Sequence, residues 1–242
     1  MIETKYETVG ATRMHYAITG NGPVIALIHG WPQTWRAWRK LMPLLAGSLG
    51  IGEFFLVGHD WGGPVAFSLA LDHPKQVKRL AILDVAIPGD GAANISQGGK
   101  RWHHAFHQTP DLPEQLTAGR ERIYLDWFYK NYGHRPDAID ESEIDEYARL
   151  YSGPGRMAAG FGYYRAIPMD IADNRARLAL GKLDVPTLAL GGDSGWGRGE
   201  EVAESVRRVA RNVTGGVISK CGHWMPEEQP EELARRLREF FH

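Results

Sequence analysis

The stretch Glu53-Phe54-Phe55-Leu56-Val57-Gly58-His59-Asp60-Trp61-Gly62-Gly63-Pro64-Val65 decides how the rest of the chain is read. Phe54 to Val57 is a short apolar run of the kind that forms a strand buried on both faces of a parallel sheet. Gly58 ends it, and Val65, Phe67, Leu69 and Ala70 begin a helical pattern. A strand, a sharp Gly-x-Asp-x-Gly turn and a helix would hold Asp60 in a strained conformation, and the glycines on either side permit the close approach. The turn also puts the Asp60 carboxylate at a helix start, where the anion is favoured. Taken alone, Asp60 reads equally well as a helix N-cap.

Strands and helices alternate outward from this centre. Lys5 to Val9 and Thr12 to Ile18 predict two antiparallel strands, and Val24 to Ile28 a buried parallel one that ends in His29-Gly30-Trp31-Pro32. Trp35 to Leu45 predicts a helix, with Trp38, Leu41 and Leu45 on one face. Val77 to Asp84 is the strand after the Asp60 turn. From about Pro88 to Gly181 strand runs give way to helical periodicity over Trp102–His107, Leu112–Thr117, Glu121–Tyr132, Ser142–Tyr151 and Arg156–Ala166. Val185–Leu190 and Gly216–Ser219 then return as strands, with a helix over Glu200–Arg211 between them. Cys221 to Pro226 reads as a loop before a last helix, Glu231–Phe241. The expectation is an α/β fold, a mostly parallel sheet flanked by helices. Residues 1–88 and 182–242 form its core, and 89–181 an inserted helical cap.

Composition narrows the function classes. The 242 residues carry a net charge of -1, which gives no electrostatic case for nucleic acid or an anionic membrane. A single cysteine excludes an internal disulfide and a cysteine-rich metal site. No apolar stretch reaches membrane-spanning length and the first residues do not read as a signal peptide, so a cytoplasmic protein is expected. Neither a metal nor an organic cofactor is implied.

Asp60 after one strand, an acid after a later strand and His223 in the last loop stand in the order nucleophile, acid, histidine. With His29-Gly30-Trp31-Pro32 and Gly58-His59-Asp60-Trp61-Gly62, the sequence resembles the α/β-hydrolase superfamily, and within it the epoxide hydrolases and their dehalogenase relatives, over nearly the whole chain. The resemblance implies an Asp60 nucleophile that opens an epoxide to a vicinal diol through an alkyl ester. Water activated by His223 would then hydrolyse that ester. A carboxylate is already ionised at neutral pH and needs no base to attack a saturated carbon. The motif supplies the backbone N–H groups of Trp31 and Trp61 as oxyanion donors. Asp84, which ends the strand Leu80–Leu83, and Asp193, in Gly191-Gly192-Asp193, are both candidates for the acid. The segment Asp84 to Gly89 favours Asp84. Cap residues Tyr164, from Gly162-Tyr163-Tyr164-Arg165, and His103, from Trp102-His103-His104, match positions that hold the epoxide oxygen. His104 and His107 are expected to be structural or pocket-lining. Trp127-Phe128 suggests an apolar pocket. Substrate and water are the expected partners, with a homodimer as the candidate assembly.

The dehalogenase alternative, on a haloalkane or a haloacid, uses the same nucleophile. Haloalkane dehalogenases usually have Asn where Trp31 stands. Fluoroacetate-type enzymes hold the substrate carboxylate with Arg near the turn that carries the nucleophile (the elbow), where this chain has Trp61 and Pro64, so the charge a haloacid needs is expected to be missing. A further departure lies before Glu53. The family has another strand and helix there, a unit of about 30 residues, and this chain has only Ser48 to Gly52. A βα unit is therefore missing near residues 47–52, with the join near Gly47–Ser48. A true loss opens a third alternative, a catalytically defective scaffold that binds without turnover. A right-handed crossover from Val24–Ile28 to Phe54–Val57 would move the helix Trp35–Leu45 to the opposite face of the sheet. The expectation is that it keeps its usual face, with the chain interrupted at the join. Cα spacings near 3.8 Å at every peptide from Gly47 to Gly50 would count against that.

Overall fold

In the computed structural model, residues 2–45, 49–92 and 95–242 are described. A hairpin of β1 (Glu3–Val9) and β2 (Thr12–Ile18) forms its own two-stranded sheet. The main sheet holds five parallel strands in sequence order: β3 (Gly22–Ile28), β4 (Leu49–His59), β5 (Val77–Leu83), β6 (Thr187–Gly192) and β7 (Val213–Ile218). The apolar runs become the central strands because their side chains are covered on both faces. Leu56, Leu80, Ile82 and Ala189 point to one face, and their neighbours Val57, Ala81, Leu83, Leu188 and Leu190 to the other. The first face is covered by α2 (Gly62–Asp72) and α8 (Glu201–Val209). The second is covered by α10 (Pro230–Phe241) and by Trp38, Leu41 and Met42.

The helix expected over Trp35–Leu45 is instead two short pieces, a 3₁₀ turn at Trp35–Trp38 and α1 (Met42–Leu45). Thr34 caps the turn by accepting the Arg36 N–H at 3.3 Å. This segment lies on the α10 face, opposite α2. Strand order advances in the same direction from β3 to β4 as from β4 to β5, yet the covering segments lie on opposite faces. The two connections therefore have opposite hands, and only one can follow the right-handed rule. β6 and β7 are likewise joined over the α2 face, through α8, so with those connections right-handed the β3–β4 segment lies on the face opposite to the one the rule requires. The expected interruption near Gly47–Ser48 lies outside the described residues. With no strand between them, β2 and β3 belong to separate sheets, and β3 is the edge of the main one.

Among the described residues, five helices are inserted between β5 and β6: α3 (His103–Gln108), α4 (Leu112–Thr117), α5 (Glu121–Tyr132), α6 (Glu141–Tyr151) and α7 (Arg156–Leu178). The periodicity locates them well except for the end of α7. This helix continues past the expected Ala166 and through Pro168, which costs it a backbone hydrogen bond. Tertiary contacts hold the continuation. Asn174 donates to the Pro88 carbonyl at 2.8 Å, and Arg177 reaches Ser68 at 3.0 Å and Asp72 at 3.1 Å on α2. The loop expected over Cys221–Pro226 includes the start of a short helix, α9 (Met225–Glu228).

Candidate active site

Two aspartates occupy equivalent places at the carboxyl ends of adjacent strands. Asp60 follows β4 and Asp84 follows β5, each with φ of 49°. Each continues the ladder by one bond, Asp60 N–H to the Leu83 carbonyl at 3.1 Å and Asp84 N–H to the Leu190 carbonyl at 2.8 Å. The chain then turns sharply, and a non-glycine residue at positive φ is strained there. The glycines around Asp60 are a steric requirement. A Cβ on Gly62 would lie 2.1 Å from the Ile28 carbonyl oxygen, and one on Gly30 would lie 2.3 Å from Asp60 Cβ. The second contact brings the segment after β3 against the Asp60 carboxylate, where the Trp31 N–H donates to Oδ1 at 3.0 Å. The Trp61 backbone N–H is a further donor to the same carboxylate.

His223 stands between the two acids. Its Nδ1 is 2.7 Å from Asp84 Oδ2, and its Nε2 is 3.4 Å from Asp60 Oδ2. Asp84 is fully buried, and its Oδ1 accepts the backbone N–H of Gly192 at 3.1 Å and of Arg198 at 2.8 Å. Asp193 is elsewhere, at the surface, accepting from the hydroxyls of Ser194 at 2.6 Å and Ser219 at 2.8 Å. Of the two candidate acids, the structure brings Asp84 to His223. Burial opposes charge on all three groups. The hydrogen bonds and charges of Asp60 and Asp84 outweigh it and raise the His223 pKa above its usual value. Burial likewise pushes the two carboxyls up, and their contacts to His223 reverse that and hold both below the usual range.

The His223 loop is organised by a residue the sequence reading did not single out. Glu228 accepts the N–H groups of Gly222, Trp224 and His134, at 3.0, 3.0 and 2.6 Å. His59 donates from Nε2 to the His223 carbonyl at 2.7 Å. Burial holds His59 neutral, its pKa lowered to about 4.

The inserted helices roof this cluster. Tyr164 on α7 is buried over Trp31 and Trp61, with ring centroids 5.7 and 5.1 Å away. Burial and the Asp60 charge raise the pKa of its hydroxyl well above the usual phenol value. Gly160, one turn earlier, leaves room for Trp31, since a Cβ there would meet the indole Nε1 at 2.4 Å. His103 lies beside Tyr164, centroids 5.4 Å apart, and its Nδ1 is 2.8 Å from the Tyr132 hydroxyl. Burial lowers the His103 pKa far below its usual value, so the ring is neutral. A buried phenol donating to Nδ1 leaves the proton on Nε2. His104 also lines the pocket, whereas His107 is tied to the Tyr124 hydroxyl at 2.7 Å. Burial keeps both neutral, with pKa values lowered to about 3. Phe128 lines the pocket and Trp127 is not among its walls. Tyr163 is 44% exposed and stacks on Trp61 at 6.2 Å.

One expectation is corrected by the pocket walls. The charge a haloacid needs was expected to be missing because no arginine lies near the elbow. Arg101, before α3, and Arg198, before α8, are both buried and both line the pocket. They reach it from far along the chain, which sequence proximity to Asp60 does not reveal.

The family model for the alpha/beta hydrolase fold matches residues 47–230. A soluble epoxide hydrolase of Corynebacterium sp. (strain C12) is 31% identical, covering 96% of this chain and 95% of that protein. The alignment spans 281 positions against the 242 residues of this chain, so the relative carries residues with no counterpart here. A fluoroacetate dehalogenase of Burkholderia sp. is 25% identical, covering 98% of this chain and 93% of that protein. The crystal structure of wild-type Cfl2 from Burkholderia cenocepacia superposes with a TM-score of 0.92 at 36% identity, covering 100% of this chain and 96% of the other. The parallel sheet, the order of elements and these matches together place the chain in the α/β-hydrolase fold family, as a hydrolase related to the epoxide hydrolases.

Proposed function

We propose that this hydrolase opens an epoxide to a vicinal diol through a covalent ester on Asp60, with residues 89–181 acting as a cap over the reaction. The observation that carries the reading is the Asp60 carboxylate itself. It accepts the Trp31 N–H on Oδ1 and has its Oδ2 at 3.4 Å from His223 Nε2, under a roof that holds Tyr164 and His103. Oδ2 attacks a ring carbon, the C–O bond breaks, and the ring oxygen leaves as an alkoxide. The Tyr164 hydroxyl gives that oxygen its proton while the Nε2–H of His103 donates a hydrogen bond. A phenol held protonated by burial is a proton donor that waits for the stronger base. Both groups are neutral in the resting site, so neither forms an ion pair with Asp60.

Forming the ester removes the Asp60 charge, one of the two anions that raise the His223 pKa. With that anion gone the protonated imidazole loses support, so a neutral His223 presents a free Nε2 to water while Asp84 still holds its Nδ1 proton. Water attacks the ester carbonyl carbon, and the negative charge develops on Oδ1, which already accepts the Trp31 N–H, with the Trp61 N–H as a second donor to the same group. The bond from the acyl carbon to Oδ2 breaks, and that oxygen takes from His223 the proton that came from water. The diol leaves, and the second water proton, left on the new Asp60 carboxyl, restores the Tyr164 phenol, returning the carboxylate.

The second reading is release of halide from a haloacid, and Arg101 and Arg198 in the pocket favour keeping it. A paired assay separates the two by measuring diol from styrene-type and aliphatic epoxides, and halide from haloalkanes and haloacids. Diol formation that is abolished by Asp60→Asn is the expected result. Halide release without diol would overturn the epoxide reading, and no product of either kind would support the defective scaffold.

A further inference from the structure

The two arginines in the pocket wall are not used by the chemistry above. Arg101 is 3% exposed and Arg198 is 7% exposed. A buried charge is costly unless it is paired. Arg198 has a carboxylate partner, Glu201, at 2.9 Å, and also donates to the Ile95 carbonyl at 3.0 Å. Arg101 has none among the described residues. Its bonds run from Nε to the Gln97 amide oxygen at 3.0 Å and from Nη2 to the Trp196 carbonyl at 2.7 Å, both neutral acceptors. Nη1 takes part in neither. Asp84 lies near enough to feel the Arg101 charge, but that carboxylate is already occupied by His223 and two backbone amides. Burial, and after it the charge of Arg101, lowers the Arg198 pKa to about 10. Among the described residues only Arg198 has a carboxylate in direct contact, which leaves the Arg101 guanidinium without an anionic partner. Both arginines line the pocket together with His103 and His104.

We propose that Arg101, supported by Arg198, is an anion subsite that receives a carboxylate on the substrate, so that the preferred epoxide is a small epoxy acid. The inference rests on the reading of this pocket as the site of epoxide opening. A carboxylate there accepts from Arg101 Nη1 and fixes the distal end of the molecule, leaving the ring between Asp60 and Tyr164. The competing role for Arg101 is purely structural, as a brace for the loop carrying Trp196.

The test compares trans-2,3-epoxybutanoate with its primary amide, which has the same shape without the charge. Wild-type enzyme should turn over the acid with a kcat/KM at least tenfold above the amide. Arg101→Gln should cut that ratio at least tenfold, and Arg101→Lys, which keeps the charge without the planar fork, should fall between. A wild-type ratio near one, or an Arg101→Gln variant that loses both substrates equally, overturns the subsite. Calorimetric titration with butanoate and butanamide reads the same subsite without turnover. Saturable butanoate binding that Arg101→Gln abolishes, together with no diol from either epoxide, would retain the subsite and refute the epoxide reading. Diol from both epoxides with no butanoate binding would do the reverse.

Discussion

Replacing Asp84 by Asn separates the two halves of the proposed reaction. The oxygen of the new amide has to face the N–H groups of Gly192 and Arg198, now 3.1 and 2.8 Å from Asp84 Oδ1, because an NH₂ there would meet two donors. That orientation turns the amide NH₂ toward His223 Nδ1, at the 2.7 Å contact now made by Oδ2. Nδ1 must then be the acceptor, so the imidazole proton moves to Nε2. A His223 with its proton on Nε2 cannot take one from water. Loss of the orienting acid through such a tautomer change costs a triad about ten-thousand-fold, or roughly 5 kcal/mol of barrier at 1.4 kcal/mol per decade. Attack by Asp60 needs only its own carboxylate and the roof donors, so ester formation should slow by no more than about tenfold, a small share of the 8 kcal/mol or more that enzymes take from a barrier.

The ester should therefore accumulate. Intact-protein mass spectrometry after rapid mixing should show Asp84→Asn enzyme heavier by one substrate, while wild-type enzyme shows little adduct and releases diol. Asp193→Asn is the matched control. Its carboxylate is held by Ser194 and Ser219 at the surface, so turnover should stay within about twofold, as surface changes usually do. Diol turnover by Asp84→Asn near the wild-type rate, with no adduct, would refute the roles given to Asp84 and His223.

Gly30→Ala should lower turnover about a hundredfold or more, the usual loss for one oxyanion donor, and should also cost stability because its Cβ would lie 2.3 Å from Asp60 Cβ. Its Cβ would sit 2.4 Å from Asp60 Oδ1 and force the carboxylate off the Trp31 N–H; unchanged circular dichroism with unchanged kcat would show that contact to be dispensable. Tyr164→Phe should slow ester formation by about a hundredfold while leaving ester hydrolysis intact, and stopped-flow tryptophan fluorescence resolves the two steps. An unchanged first step would remove Tyr164 from the mechanism. Acid should destabilise the fold through its buried neutral histidines. His59 has an unfolded pKa near 6.5 and a folded one of about 4, so the unfolded chain binds more protons between those values. Stability is full above pH 6.5 and falls as pH drops toward 4, by about 3 kcal/mol for His59 alone. Urea midpoints at pH 7.5 and pH 4.5 measure this, and equal midpoints would contradict it.

The parts of the site that were legible in the sequence are those fixed by local chain geometry. Asp60 stands between glycines at the end of an apolar run, Asp84 ends the next run, and His223 precedes the last helix. A strand end followed by a tight turn has a signature a few residues long. The partners that give these groups their properties come from far along the chain and leave no such trace. Arg101 meets the Trp196 carbonyl across 95 positions and the Tyr132 hydroxyl meets His103 across 29. In sequence, a buried arginine looks like the exposed majority of its kind. Absence of a charge near the elbow was therefore a poor guide to absence of charge in the pocket. The end of α7 was missed for the converse reason. Pro168 is a local stop signal, and the contacts of Asn174 and Arg177 that override it are tertiary.

The shortened segment before β4 bears on the defective-scaffold alternative through where the loss falls. The proposed reaction draws Trp31 from the end of β3, Asp60 from β4, Asp84 from β5, the Gly192 amide from β6 and His223 from the turn after β7, five parallel neighbours. Each depends on the register with its neighbour. Ile28 pairs with Gly58, His59 with Leu83, and Leu83 with Leu190, so the strand ends are aligned around the pocket. A strand lost between β2 and β3 lies outside this series. Its absence falls on the β3 edge and on the hairpin, whose Tyr6, Val9 and Met14 are 56%, 59% and 52% exposed. The loss therefore bears on stability and on unwanted pairing at an open edge, while the alignment that the chemistry needs is kept. A shortened protein of this kind should be active and prone to aggregate rather than monodisperse and inert. Light scattering recorded alongside the diol assay distinguishes those outcomes, and a well-behaved monomer without turnover would favour the scaffold reading.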